Sequence, residues 1–188
     1  MTRIVAGVAG GRRLQVPPRG TRPTSERVRE ALFSALENLV DLDGAVVLDL
    51  YAGSGALGFE ALSRGAARAT FVESDKRAAE VLKGNAKALG LPGAVVLTRT
   101  AEAVVAVPPE EPCDVVFADP PYAVGDDQLN RVLSALVGNG WTAPGSLVVV
   151  ERDARGAEPV WPRAVESLRG KRYGDTALHW AEHVGATG

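Results

Sequence analysis

The sequence predicts an α/β fold built on a mostly parallel sheet, preceded by a β-hairpin. Three observations carry this. Apolar runs such as AVVLDL (45–50) and CDVVFA (113–118) are continuous rather than alternating, as in strands buried on both faces. Stretches with helical apolar spacing separate these runs, so strand and helix alternate along most of the chain. The first 23 residues are rich in Gly, Pro and Arg instead, and RIVAGVAGGRRLQVP reads as two short strands around a Gly-Gly turn.

The elements follow in order. PRGTRP (18–23) is an extended linker. TSERVREALFSALENL opens with a cap, Thr24 or Ser25, and places Val28, Ala31, Leu32, Ala35, Leu36 and Leu39 on one helical face. AVVLDL is a strand and ALGFEALSRG a helix ending at Gly65. RATFVES is a strand. DKRAAEVLKGNAKALG is a helix from Asp75 to Gly90. AVVLTR is a strand, AEAVVAV a short helix, CDVVFADPPY a strand running into a loop, and DDQLNRVLSALVGNG a helix. GSLVVVERD is a strand, residues 162–169 form a last helix, and GKRYGDTALHWAEH closes as two strands about Gly174. The expected organisation is an Arg-rich hairpin and linker over 1–23, one domain over 24–184 and a disordered tail over 185–188.

Composition narrows the class. The chain has 188 residues, 46% of them hydrophobic, enough for one domain with a real core. No apolar run approaches the ~18 residues that span a bilayer. The N-terminus lacks a signal-peptide pattern, and the lone Cys113 cannot form an internal disulfide. A cytoplasmic protein is expected, and with no exposed apolar stripe, a monomer. Net charge is −2, unevenly spread: residues 1–30 hold seven arginines against Glu26 and Glu30, and the remainder is acidic. A basic arm on an acidic body suits a polyanion partner. Four lysines against seventeen arginines also fit a simple arginine bias.

In α/β sheets ligands bind at the carboxyl ends of strands. Asp49, Glu73, Asp119 and Glu151 all stand at or just past such ends. Gly53, Gly55 and Gly58 form G-x-G-x-x-G between a strand and a helix, and Glu73 follows twenty residues after Gly53. That spacing matches a dinucleotide turn. Asp49, however, sits four residues before Gly53, where a carboxylate repels a pyrophosphate and suits a cation. S-adenosylmethionine has an ammonium, a sulfonium and no phosphate. Asp49 can polarise its ammonium, the glycines admit close backbone approach, and Glu73 can accept both ribose hydroxyls.

Asp119-Pro120-Pro121-Tyr122 is the second motif. The lone pair of a nucleobase amine is delocalised into the ring and must rehybridise to accept a methyl group. Asp119 and the Pro120 carbonyl can bond its two hydrogens and turn the lone pair to the donor. Proline fixes φ and brings no competing N–H. Tyr122 offers a face on which a flipped base stacks.

LDLYAGSGALGFEAL, FVESD and FADPPY resemble the class I S-adenosylmethionine-dependent methyltransferases that act on amino groups. GRRLQVP, RPTSERVREALFSAL and the short length narrow the resemblance to the bacterial 16S ribosomal RNA guanine-N2 methyltransferase family, RsmD type. Matching stretches run from about Gly7 to about Trp180. The resemblance implies a Rossmann-like class I methyltransferase fold, a seven-stranded sheet with its last strand antiparallel. It implies methylation of the 2-amino group of a guanine in 16S ribosomal RNA, naked or within an assembling small subunit. Asp119, Pro120 and Tyr122 would meet the target base. Asp49, Tyr51, Ala52, Gly53, Ser54, Gly55, Glu73 and Ser74 would surround the cofactor, with Thr24 and Arg27 approaching from the N-terminal helix. Where such enzymes often carry Asp or Asn after the third strand, this chain has Thr100; its hydroxyl and the Ala101 N–H are then the adenine contacts.

With a nucleic-acid substrate, Arg3, Arg12, Arg13 and Arg19 become phosphate contacts that orient the base, and Arg22 a tie for the linker. Cys113 lies six residues before Asp119, roughly 20 Å along a strand, and reads as a core residue rather than a nucleophile. His179 and His183 lack further ligands, so no metal is expected. Trp141, Trp161 and Trp180 read as packing, and Glu151 as a loop contact without a catalytic role. Three other readings stay open: a DNA amino methyltransferase acting on adenine N6 or cytosine N4, a methyltransferase-like protein that only binds RNA, and, last, an enzyme that binds NAD at the glycine turn.

Overall fold

The structure, a computed structural model, describes residues 1–18 and 24–185. Most of the expected linker, with Arg19 and Arg22, and nearly all of the tail lie outside the described residues. The hairpin pairs β1 (Thr2–Arg3) with β2 (Arg13–Leu14). Then come α1 (Glu26–Glu37), β3 (Val46–Leu50), α2 (Ala56–Ser63), β4 (Arg68–Val72), α3 (Lys76–Leu89), β5 (Ala94–Leu97) and α4 (Ala101–Val105). β6 (Cys113–Ala118), α5 (Asp126–Gly138), β7 (Thr142–Asp153), β8 (Val165–Ser167), β9 (Lys171–Tyr173) and β10 (Thr176–His183) complete the order. The strands lie side by side as β5-β4-β3-β6-β7-β10-β8, with β9 also on β10. β5 through β7 run parallel; β10 is antiparallel to β7, β8 and β9. The parallel sheet with an antiparallel last strand is as the resemblance implied; β9 and β10 are the two strands expected about Gly174, and β8 brings the sheet to eight strands rather than seven.

Alternation explains the continuous apolar runs. Val115 and Phe117 of β6 face the helices α1 to α3, whereas Val116 and Ala118 face α4 and α5. Leu147 and Val149 of β7 divide from Val148 and Val150 in the same way. Each strand is thus buried on both sides. Cys113 is a buried core residue at the start of β6, its thiol pushed up to about 12 by burial.

Two expectations need correction. Residues 162–169 form no helix; Val165–Ser167 is β8. Trp161, Val165 and Leu168 have helical spacing, but the open edge of β10 takes the segment as a strand. Leu168 N–H donates to the Trp180 carbonyl at 2.7 Å and Val184 N–H to the Ala164 carbonyl at 2.8 Å. Leu39, past the end of α1, is 54% exposed, and the buried face of α1 instead carries Phe33 and, fully enclosed, Arg29.

Arg29 is enclosed because it has partners. Its Nε lies 3.3 Å from Glu60 Oε1, with both side chains fully buried, and its guanidinium donates to the Arg3 carbonyl. Burial lowers the Arg29 pKa; Glu60 and Glu26 oppose that shift. Glu60 also accepts Val5 N–H at 2.8 Å, Ala6 N–H at 3.0 Å and Arg64 Nε at 3.0 Å. Ser63 continues the seam: its carbonyl takes Val8 N–H at 2.8 Å and its hydroxyl takes Ala9 N–H at 2.9 Å. Gly7, at φ +82°, lets the hairpin come this close, since a Cβ there would stand 2.0 Å from the Ser63 carbonyl oxygen.

Removing one member of such a buried set leaves the other charge unpaired. Glu60→Ala is expected to destabilise the protein by about 3–5 kcal/mol in denaturant unfolding. Amide exchange at Val5 and Ala6 should rise first. A loss below ~1 kcal/mol would show that the set is solvated.

Candidate active site

The strand ends gather two adjoining groups of polar atoms. The first surrounds the turn after β3. Asp49 is buried, and its Oδ2 accepts Gly58 N–H at 3.0 Å, in the first turn of α2. The helix N-terminus that a pyrophosphate would use therefore already holds a carboxylate. Gly58 serves packing: a Cβ there would lie 2.3 Å from Phe71 Cε1. Gly53 and Gly55 have φ of +57° and +85°, as the tight turn into α2 requires. Tyr51 shares this left-handed region at φ +58°, and its hydroxyl is buried without a hydrogen-bond partner.

Glu73, past the end of β4, accepts Gly53 N–H at 2.9 Å on one oxygen and Asp75 N–H at 2.8 Å on the other. Each oxygen keeps acceptor capacity. Ser74 beside it is exposed. Ser54 is buried, and its carbonyl accepts Asn85 Nδ2 at 2.9 Å. Asn85 also exchanges two 2.9 Å bonds with the backbone of Gln15, just past β2. Thr100 caps α4 by accepting Ala103 N–H at 3.1 Å, with Ala101 buried at the first helical position. The donor set fits S-adenosylmethionine: two carboxylates border the turn, and LDLYAGSG carries no basic side chain for a phosphate.

The second group surrounds Asp119. The β6–β7 pairing sets Ala118 opposite Val150, so Asp119 and Glu151 are neighbours at adjacent strand ends. Thr24 Oγ1 lies 2.5 Å from Glu151 Oε2 and 3.3 Å from Asp119 Oδ2. Of the two cap candidates, Ser25 is the cap of α1, accepting Val28 N–H at 3.1 Å, which leaves Thr24 to the carboxyl pair. Burial, then the nearby charge of Glu151, hold the Asp119 carboxyl well above the usual carboxylate range. Asp119, Glu151, Pro120, Tyr122, Tyr173 and Asp175 line one cleft of about 320 Å³. Tyr122 is 81% exposed at its mouth.

Not every sequence candidate gathers here. Arg27 lies beside Arg172 and Tyr173, on the outer side of the cleft. Arg3 pairs across the hairpin with Arg13 and contacts Glu26 at 3.8 Å. Arg12, exposed, donates to the Ala88 carbonyl at 2.7 Å. Sequence reasoning gave Glu151 only a loop contact and passed over Tyr173 and Asp175. The signal for Glu151 was available, because an acid ending LVVV stands beside the acid ending VVFA once the two strands are paired. Tyr173 reaches the cleft through the β9–β10 turn, which no local pattern ties to Asp119. Among the described residues, no three His, Cys, Asp or Glu side chains cluster as a metal ion requires. No helix there is long and apolar enough to cross a membrane.

A sheet of this order, with a glycine turn after its central strand and D-P-P-Y after the next, defines a protein of the class I methyltransferase fold. The family described as conserved hypothetical protein 95 matches residues 2–182, and the chain belongs to it. It is 40% identical over 176 residues to ribosomal RNA small subunit methyltransferase D of Escherichia coli K12, covering 93% of this chain and 86% of that protein. Its identity to the Haemophilus influenzae protein of the same name is also 40%, over 155 residues, 80% of this chain and 78% of that one. The solved structure of yhhF from Escherichia coli superposes with a TM-score of 0.87 at 35% identity, covering 98% of each chain. The family expected from the motifs is the family found.

Burial raises the Asp49 carboxyl from 3.8 to about 8, with Glu73 adding to the shift and Gly58 opposing it. The folded protein thus keeps a proton that the unfolded chain has lost between those values. Stability contributed at this site falls as pH rises through the window. Asp49→Asn keeps an oxygen for Gly58 N–H and removes the titration. The wild type should lose up to about 1.4 kcal/mol per pH unit relative to the variant, read from denaturant midpoints against pH. Parallel curves would place the Asp49 pKa near its unfolded value.

Proposed function

We propose that this protein transfers a methyl group from S-adenosylmethionine to the exocyclic N2 amine of a guanine in 16S ribosomal RNA. The observation that carries the reading is the cleft at the end of β6, where Asp119 and Pro120 face an exposed Tyr122 in a chain of this family. The names of the two curated relatives support ribosomal RNA of the small subunit as substrate. The choice of guanine N2 rests on the family resemblance of the motifs.

When bound, S-adenosylmethionine would supply an electrophilic methyl carbon on a sulfonium that leaves as a neutral thioether. Asp49 would hold the ammonium group, Glu73 the ribose hydroxyls on its remaining lone pairs, and Thr100 with Ala101 N–H the adenine edge. Tyr122 stacks on the flipped guanine. Asp119 and the Pro120 carbonyl accept the two N2 hydrogens and aim the nitrogen lone pair at the methyl carbon. As the new carbon–nitrogen bond forms, the nitrogen holds one proton too many, and Asp119 is placed to accept it. Positioning supplies most of the acceleration. Arg3, Arg12 and Arg13 on the hairpin contact phosphates, and Arg27 with Arg172 extends this surface along the cleft.

With tritiated S-adenosylmethionine and hypomethylated small subunits or naked 16S RNA, digestion should yield labelled N2-methylguanosine. Asp119→Ala should lower the rate about 10²-fold or more. Label found only in duplex DNA would overturn the substrate, and cofactor binding with no transfer to any nucleic acid would overturn the activity. The double variant Arg12→Ala/Arg13→Ala should weaken RNA binding at low salt and lower the salt slope by about one to two. An unchanged slope would remove the hairpin from the RNA interface.

A further inference from the structure

We propose that Glu151 reads the ring N1–H of the target guanine and thereby selects guanine over adenine and cytosine. The inference rests on the guanine-N2 reading above and deepens it.

Asp119 with the Pro120 carbonyl can hold the amine of any of the three bases, because each amine offers two N–H donors. The bases differ at the ring nitrogen beside the amine. Guanine N1 carries a hydrogen, whereas adenine N1 and cytosine N3 present a lone pair. A second carboxylate next to the first gains a hydrogen bond from guanine and meets a repelling lone pair from the others. Glu151 is that second carboxylate. The β6–β7 register fixes it beside Asp119, and both line the same cleft with Tyr122 and Tyr173.

Thr24 explains how two acids share the site before RNA arrives. Its hydroxyl reaches both, at 2.5 Å from Glu151 Oε2 and 3.3 Å from Asp119 Oδ2, but it has a single proton to give. The two carboxyls also bond each other, and each oxygen has more than one lone pair to offer. The guanine edge brings three N–H donors, one from N1 and two from N2, to the lone pairs of Glu151, Asp119 and the Pro120 carbonyl. A base with a lone pair at that ring position sets that lone pair against the oxygens of Glu151, and such sites discriminate strongly.

The test compares target RNAs that differ at one base. Once the wild-type protein has marked its nucleotide, 16S RNA is ligated with guanosine or 2-aminopurine at that position and assembled into subunits. 2-Aminopurine keeps the 2-amino group but has a lone pair at N1. The wild type should favour guanosine at least about tenfold in kcat/KM. Glu151→Gln has the same shape and offers a donor, so it should lose rate on guanosine and narrow or reverse that preference. The ratio of the two preferences cancels the other differences between the bases. If Glu151 only steadies Thr24, both RNAs lose rate together and the ratio stays fixed, which overturns the inference. A wild type that does not distinguish the two RNAs overturns it without any variant. If the wild type forms no N2-methylguanosine on the guanosine RNA, the functional reading fails at the control and takes this inference with it.

Discussion

The buried contact between Arg29 and Glu60 ties together three parts of the chain that sequence keeps apart. Arg29 belongs to α1, Glu60 to α2, and both bond the backbone of the hairpin strand around Arg3 to Ala6. Enclosing a guanidinium and a carboxylate is costly unless their other hydrogen-bonding positions are used. Here the backbone N–H groups of Val5 and Ala6, the Arg3 carbonyl and Arg64 use them. The consequence reaches the cleft. Ser25 caps the start of α1, and Thr24 precedes it, so the helix that Arg29 pins is also the one that delivers Thr24 to Asp119 and Glu151. Of the seven arginines in the first thirty residues, Arg29 is committed to the interior and adds nothing to a surface for polyanions.

The strand ends carry the opposite sign. Asp49, Glu73, Asp119 and Glu151 lie on four adjacent strands, and the sheet order places Asp49 and Asp119 next to each other at its centre. Burial first, and neighbouring carboxyl charge after it, raises the pKa values of Asp49 and Asp119. Such an acidic floor accommodates ligands that arrive with positive charge or with N–H donors. At this glycine turn, a form familiar from nucleotide sites, Asp49 already occupies the Gly58 amide at the head of α2.

Much of this was legible in the sequence, for identifiable reasons. The capped helix from Asp75 to Gly90 and the D-P-P-Y strand end are local patterns, and local patterns survive folding. Most of the failures were decided by distant partners. Residues 162–169 have helical spacing, yet the unpaired edge of β10 needed hydrogen bonds more than the segment needed a helix. Arg29 read as a surface charge because nothing near it in sequence announces Glu60. Leu39 had the right spacing for the core but stands past the last turn of α1, where the chain turns away. Glu151 looked like a loop contact because its meaning depends on the register between β6 and β7.

The position of β10 has a consequence for how the sheet comes together. β8 and β9 precede β10 in the chain, yet both find their partner only in β10, which itself lies against β7. A strand made later is thus inserted between strands made earlier. Until it arrives, β7 is an open edge with a long apolar run, VVV, and β8 is a strand without a sheet. The parallel half can pair before β10 is made, whereas β8 and β9 have no partner strand until β10 is in place, so the floor of the cleft can be laid before its far wall.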